Sequence, residues 1–385
     1  MSLARSDEAL KQKLLETRES DRAMSEFCRI ATEAGCPMNV MDLIEHGESE
    51  YAAMKRSTNG GGENSPLLDG QDDDYTLFLS KLMRSRVSSD MIPLSDYLQA
   101  TFGEKIYRLS LSSGCTCPNR DGRIGYGGCT FCSEGGSGEF AAPALPVEEQ
   151  IRLAKERIAG KTGAKRYIAY FQSFTNTYGD IKRLRNLYLE TIRREDVAVL
   201  SIATRPDCLG PDVMEMLRDL RQIKPVWVEL GLQTIHERTA ERIRRGYPLS
   251  IFEEAYARLK EAGIPVIVHV IFNLPGETRD DMLETVRYLA DLQPQLDGVK
   301  LQMLQILKGT AMAEEYEQDP YPLMDLEEYA SLIGECARIL PRETVLHRMT
   351  GDGPRRLLIA PLWCLDKKRV LNRLRREVAL PADAE

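Results

Sequence analysis

Long apolar runs are missing from this chain of 385 residues: the longest strongly apolar stretch, Ile264 to Phe272, is far below the roughly 18 residues of a membrane span. No membrane partner is expected. The opening residues, Met1-Ser-Leu-Ala-Arg-Ser-Asp-Glu8, lack the apolar core of an export signal, so the expected location is the cytoplasm. Histidine is scarce, with four in all; His269 sits inside an apolar run and reads as a hydrogen-bonded core residue, while His347 fits either core or site. No internal repeat is found beyond an alternation of strand-like and helix-like segments. What is plentiful is ordinary: 43% hydrophobic and 29% charged residues describe a globular chain able to bury a core. The net charge of −8 argues against uniform attraction to nucleic acid, although it allows a local basic patch. Nine cysteines without an export signal argue against a disulfide framework and for metal or redox chemistry.

Residues 1–58 carry apolar residues at helical spacing, with Leu10, Leu14, Leu15, Met24, Phe27, Ile30 and Ala31 as the buried stripe of a small helical module. Residues 59–92 combine Gly, Asn, Ser and Pro with an acidic run, the composition of a linker, followed by a short helix from Asp74 to about Arg86. From 93 to 340, six β-rich runs alternate with amphipathic helical segments. The runs are Ile106 to Ser112, Arg166 to Phe171, Val197 to Thr204, Val226 to Leu232, Pro265 to Ile271 and Val299 to Ile306. Such alternation implies an α/β fold with a parallel sheet and right-handed crossovers, either open or a complete or partial barrel. Residues 341–385 form a C-terminal extension with a short strand near Val345 and a basic helix from Asp366 to about Val378.

Chemistry concentrates just after the first run. Gly114-Cys115-Thr-Cys117-Pro-Asn-Arg-Asp-Gly122 is followed by Gly127-Gly-Cys129-Thr-Phe131-Cys132, so the thiols gather at the carboxyl end of a strand, where loops of parallel α/β folds build reactive sites. Two chemistries fit these residue types. Four thiolates, Cys115, Cys117, Cys129 and Cys132, could make a tetrahedral zinc site. Three of them, Cys117, Cys129 and Cys132, could hold a [4Fe-4S] cluster with one iron left open.

The surrounding motifs bear on that choice. Cys-Pro-Asn-Arg-Asp-Gly and Gly-Gly-Cys-x-Phe-Cys are followed in order by Tyr170-Phe-Gln-Ser-Phe-Thr-Asn-Thr177, Ser201-Ile-Ala-Thr-Arg-Pro-Asp-Cys208, Glu229-Leu-Gly-Leu-Gln-Thr234 and His347-Arg-Met-Thr-Gly-Asp-Gly-Pro354. Over about residues 93–380 the chain resembles the YtqA/YhcC-type radical S-adenosylmethionine proteins, which have an Elp3-like core. The resemblance does not cover the N-terminal module, and no acetyltransferase domain fits in the remaining residues. It implies a partial (βα)6 barrel and assigns Cys117, Cys129 and Cys132 to a [4Fe-4S] cluster, with Cys115 outside it. The open iron would take S-adenosyl-L-methionine, and reductive cleavage of that cofactor would give a 5′-deoxyadenosyl radical that abstracts hydrogen from a substrate. A reducing donor such as flavodoxin or ferredoxin would supply the electron.

The resemblance also suggests roles for other residues. Phe131 would pack near the adenine. Gln172 and Ser173, with Thr175 and Asn176, would offer hydrogen bonds to the methionine end, unless they merely cap the next helix. Glu229 and Gln233, four apart on a strand and so on one face, would meet the ribose or methionine end. Asn273 closes a strand that resembles the adenine-contacting one, and its Pro-Gly-Glu-Thr continuation also suits a turn with Thr278 as N-cap. Arg205, Asp207 and Cys208 would face the barrel mouth, with Cys208 as a hydrogen-atom donor or simply a small buried residue.

Charge supplies a substrate clue. Between Arg342 and Arg376 ten basic residues face three acidic ones, a local +7 that leaves −15 for the rest. Lys367, Lys368, Arg369, Arg373, Arg375 and Arg376 are the expected nucleic-acid contacts, against the alternative of a solvated basic helix. With the resemblance, the expected substrate is the wobble uridine of a tRNA, altered at its C5 substituent in a step of the carboxymethylaminomethyl-to-aminomethyl type. Two other readings stand beside it: radical modification of a peptide, with the N-terminal module as recognition element, and a zinc-stabilised nucleic-acid-binding protein without catalysis.

Overall fold

The computed structural model describes residues 8–17, 20, 22–37, 39–40, 91–136, 138–159, 163–351 and 353–378. Most of the expected linker, and the short helix over 74–86, lie outside the described residues. The chain divides into two compact units, Met1–Ser88 and Ser89–Glu385. In the first, helices α1 (Glu8–Glu16) and α2 (Ala23–Glu33) bury Leu14, Phe27, Cys28 and Ala31, with Leu10, Leu15, Met24 and Ile30 packed alongside. This is the stripe that the helical spacing marks.

The second unit is built on one parallel sheet of eight strands. After β1 (Ile92–Pro93) and α3 (Leu94–Phe102), the elements run β2 (Tyr107–Leu111), α4 (Val147–Ile158), β3 (Tyr167–Phe171), α5 (Ile181–Ile192), β4 (Val197–Thr204), α6 (Pro211–Arg221) and β5 (Val226–Gln233). Helices α7 (Glu237–Arg242) and α8 (Leu249–Glu261) precede β6 (Val266–Phe272), followed by α9 (Arg279–Ala290) and β7 (Gly298–Met303). The chain then forms β8 (Ile306–Leu307), α10 (Ala311–Gln318), α11 (Leu326–Ile339), β9 (Val345–Arg348), β10 (Leu358–Ala360) and α12 (Lys367–Val378).

Strands β2 to β7 lie side by side in chain order, and the sheet continues from β7 to β9 and then β1. Its end strands, β1 and β2, do not pair with each other, so the barrel is partial. Every residue of β3 and β4 is buried. On β3, Tyr167, Ala169 and Phe171 pack outward against helices, while Ile168 and Tyr170 point into the barrel. Burial on both faces explains why these strands read as continuous apolar runs rather than alternating ones. Helix α3 closes the amino end of the barrel, with Leu98 buried among Ile168, Trp227 and Ile267.

The helices start where local chemistry places them. Thr278 and Asp281 form a capping box on α9, and Asp325 and Glu328 form one on α11. Two features depart from the sequence reading. The sixth expected strand stops at Met303, and Ile306–Leu307 leave the sheet to pair antiparallel with β10. Strand β9, from the segment expected as an extension, pairs with β7 inside the main sheet, and β1 adds a further edge beside it. No helix among the described residues is long and apolar enough to cross a membrane.

Candidate functional site

The loop between β2 and α4 brings three thiols into one cavity. Cys117, Cys129 and Cys132 all line a space of about 250 Å³ at the carboxyl ends of the strands. The loop bends tightly: Gly128 has φ +86°, and a Cβ there would lie 2.8 Å from Arg120 Nε. Arg120 in turn donates to the carbonyl of Cys132 at 2.9 Å and to that of Ser133. Asn119 donates to the Arg244 carbonyl at 2.6 Å and lies 3.6 Å from Cys129 Sγ. The Thr130 backbone joins the loop to Ile243 on one side and Met312 on the other. Cys115 is separate: it is buried in the outer core, does not line the cavity, and accepts from Arg183 Nη2 at 3.2 Å.

Burial and then the neighbouring Cys132 push the Cys129 thiol up to about 12, a cost that a bound cationic centre would offset. Among the described residues, no three cysteine sulfurs lie within 4.8 Å of one another. Cys117, Cys129 and Cys132 share one cavity, and Cys115 lies outside its lining.

A second wall comes from the segment after α7. Arg245 is fully buried; it donates to the Leu232 carbonyl at 2.9 Å, the Thr234 carbonyl at 2.6 Å and the Tyr247 carbonyl at 3.0 Å. The Tyr247 ring lies between two guanidinium groups, Arg205 at 4.8 Å and Arg245 at 4.7 Å. Arg205 makes a bidentate pair with Asp207 at 2.9 and 2.8 Å, and this pairing outweighs burial to raise its pKa. Arg120, Arg205, Arg245 and Tyr247 all line the cavity.

Deeper in the barrel, ionisable groups from successive strands meet. Glu229 on β5 accepts from Ser201 on β4 at 2.8 Å, from His269 on β6 at 2.8 Å, and from Lys300 on β7. Arg108 on β2 stands 3.7 Å from its other oxygen. Lys300 also donates to Tyr170 at 3.2 Å. Despite its burial, Glu229 is held well below the usual carboxylate range by Lys300 and Arg108. His269 is driven down to about 4, by burial and then by Lys300, and so is neutral near pH 7.

Phe131, Gln172, Glu229 and Gln233 line the cavity with the three cysteines. Ser173, Cys208 and Asn273 do not. Asn273, at φ +64°, accepts from the Met324 backbone at 2.6 Å and donates to the Pro322 carbonyl at 3.3 Å, which ties a strand end to the loop before α11. Asn176 is fully buried and ties β2, β3 and β4 together through Ser113, Phe171 and Ala203. Burial and Asp207 push the Cys208 thiol up. Helix α12 packs on α11 and contributes nothing to the cavity lining. Lys367, Lys368, Arg369, Arg375 and Arg376 are exposed, whereas Arg373 pairs with Glu327 and Glu377 at 2.6 Å each. Sequence reasoning missed Arg108, Arg245, Tyr247 and Lys300. A signal for two of them existed, since Arg108 and Lys300 interrupt apolar strands, where a buried charge needs a partner.

Comparison with known proteins matches residues 114–289 to the Radical SAM superfamily and residues 296–379 to the Radical_SAM C-terminal domain. The chain is 42% identical to YtqA of Bacillus subtilis over 286 residues, 74% of this chain and 88% of that protein. It is 36% identical to YhcC of Escherichia coli over 268 residues, 69% of this chain and 85% of the relative. A more distant match, 28% identical, is to the tRNA uridine(34) acetyltransferase of Methanocaldococcus jannaschii, across 44% of this chain and 31% of that one. Among solved structures, Methanocaldococcus infernus Elp3 with an N-terminal deletion superposes with a TM-score of 0.54 at 15% identity, covering 71% of this chain and 64% of the other.

Proposed function

Because the chain belongs to the radical SAM superfamily, a class of enzymes that uses a [4Fe-4S] cluster and S-adenosyl-L-methionine, we propose that it modifies the C5 substituent of a tRNA wobble uridine. The convergence of Cys117, Cys129 and Cys132 on one cavity carries the catalytic part of this reading. When bound, the cluster and cofactor supply reductive cleavage and hydrogen-atom abstraction. The three cysteines hold the cluster. Phe131, Gln172 and Gln233 face the same space and orient the cofactor, while Arg120 and Asn119 fix the loop that carries the thiols. Tyr247, clamped between Arg205 and Arg245, keeps the opposite wall rigid and excludes water.

The substrate part rests on two supports. A relative's name specifies uridine 34 of tRNA, and α12 exposes five cationic side chains suited to phosphates. The step is a carboxymethylaminomethyl-to-aminomethyl conversion. A hydrogen atom leaves the methylene between nitrogen and carboxylate, the resulting carbon radical gives one electron to an oxidised one-electron carrier of the flavodoxin or ferredoxin class, and the neighbouring nitrogen loses its proton, which gives an imine. Water hydrolyses it to the free amine and glyoxylate. A one-electron donor of the flavodoxin or ferredoxin type supplies the reducing electron.

The test is mass spectrometry of tRNA nucleosides from a deletion strain, with anaerobic assay of the reconstituted protein for 5′-deoxyadenosine. Accumulation of the carboxymethylaminomethyl nucleoside at the expense of the aminomethyl one is expected. An unchanged nucleoside profile would sink the tRNA assignment while leaving deoxyadenosine formation to judge the chemistry.

A further inference from the structure

The barrel interior holds more positive charge than its own carboxylate can serve. Glu229 is the shared partner of Lys300 and Arg108, and Arg348 on the cavity lining acts on the same ammonium, so basic side chains outnumber the one carboxylate of this cluster. The titration behaviour shows the same imbalance. Glu229 is held well below its ordinary value, yet Lys300, against the same carboxylate, is pulled well below its own by burial and then by Arg108. His347 is likewise driven down, by burial and then by Arg108. The carboxylate is oversupplied with cations while the ammonium is undersupplied with anions. Buried charge of this kind is costly unless paired, and Arg108 Nε is itself buried without a hydrogen-bond partner.

The surplus is reachable from the cavity. Lys300 and Tyr170 line it on the deep side, at mid-strand positions below the loop that carries the cysteines. Two of the three ammonium hydrogens of Lys300 are engaged, by Tyr170 and Glu229, which leaves one donor. Gln302 and Gln305 lie on the cavity lining too and add neutral amide groups. A surplus of basic groups and one remaining ammonium donor, set among the amides of Gln302 and Gln305, suit a small planar anion such as a carboxylate.

We propose that Lys300, backed by Arg108 and flanked by Tyr170 and Gln302, forms a subsite that binds a carboxylate group of the substrate inside the barrel. It rests on the reading that the reaction takes place in this cavity. Glu229 is then a positioning residue that holds the ammonium in place, rather than a contact for the cofactor.

The probe is acetate, compared with acetamide of the same shape and with inorganic phosphate, at constant ionic strength on the full-length anaerobically reconstituted protein. Thermal unfolding reads binding, because a ligand of the folded state raises Tm. Acetate should raise Tm with a saturable dose dependence, and acetamide should not. Lys300→Met alone strands Glu229, so the decisive variant is Lys300→Met with Glu229→Gln, which removes one charge of each sign. If this double variant folds cooperatively, its half-saturating acetate concentration should rise by about tenfold or more. Should it not fold, Lys300→Gln with Glu229→Gln serves, and if that pair also fails, protection of Lys300 from acetylation by acetate in the wild-type protein gives the same reading. Three results would overturn the subsite: equal effects of acetate and acetamide, an acetate effect unchanged in the variant, or a response to phosphate alone. Deoxyadenosine formation by the same wild-type preparation separates the two claims. If it forms without any acetate effect, only the subsite falls; an acetate effect without deoxyadenosine overturns only the enzymatic reading.

Discussion

Single residues divide the four clustered thiols into two kinds. Cys117→Ala, Cys129→Ala and Cys132→Ala should each abolish the broad visible absorption of the reconstituted cluster, because each removes one of its proposed thiolate ligands. Cys115→Ala should retain the absorption, since that thiol faces Arg183 in the outer core. A visible spectrum recorded after iron and sulfide loading decides between them. His269 offers a pH test. Its folded value of about 4 lies below the ordinary 6.5, so the unfolded chain binds the extra proton first as pH falls between those values. Stability should therefore drop by about 2 kcal/mol between pH 6.5 and 4.5 on account of this ring, and His269→Gln should lack that share of the slope. Urea titrations at the two pH values measure it.

At the scale of elements, the short turn from Arg244 to Pro248 matters more than its length suggests. Gly246 has φ +81°, and a Cβ there would come within 3.1 Å of Ile124 in the cysteine loop. Gly246→Ala should cost about 1 kcal/mol for the backbone alone. It should also loosen the cysteine loop, which would appear as slower cluster reconstitution at unchanged far-ultraviolet dichroism. Helix α12 carries a different expectation. Replacing Lys367, Lys368 and Arg369 with Ala should weaken tRNA binding and flatten its salt dependence by roughly one unit per lost phosphate contact. Deoxyadenosine formation should survive, because α12 lies outside the cavity. A normal salt slope in a filter-binding titration would remove these three side chains from any RNA path.

Across the whole molecule, the barrel was legible because its order is local. Each of the six runs is apolar, each is followed by an amphipathic segment, and strands adjacent in sequence became adjacent in the sheet. The thiol loop was legible for the same reason, since its spacing lies within one loop. What escaped depends on contacts between distant segments. The bonds from Asn273 to the 322–324 segment join positions some fifty residues apart, which no local pattern shows. Strand β1 is two residues long and contains Pro93, so nothing in its own pattern announced it, and only pairing with Val345 and Leu346 makes it a strand. The role of Lys300 depends on Glu229, about seventy residues earlier, and Tyr170, about 130 earlier.

The stitches that hold the cysteine loop imply an order of events during synthesis. Thr130 is bonded to Ile243 and Met312, and Asn119 to Arg244, so the thiols leave the ribosome long before the segments that fix them. At about 5–20 residues per second, the gap between Cys132 and Met312 spans roughly ten to forty seconds. Throughout that interval the thiols belong to an unfinished wall, open to oxidation and to adventitious ions. Chains arrested on the ribosome before residue 312 should therefore capture iron and sulfide far less stably than released ones, as measured by iron retained after gel filtration.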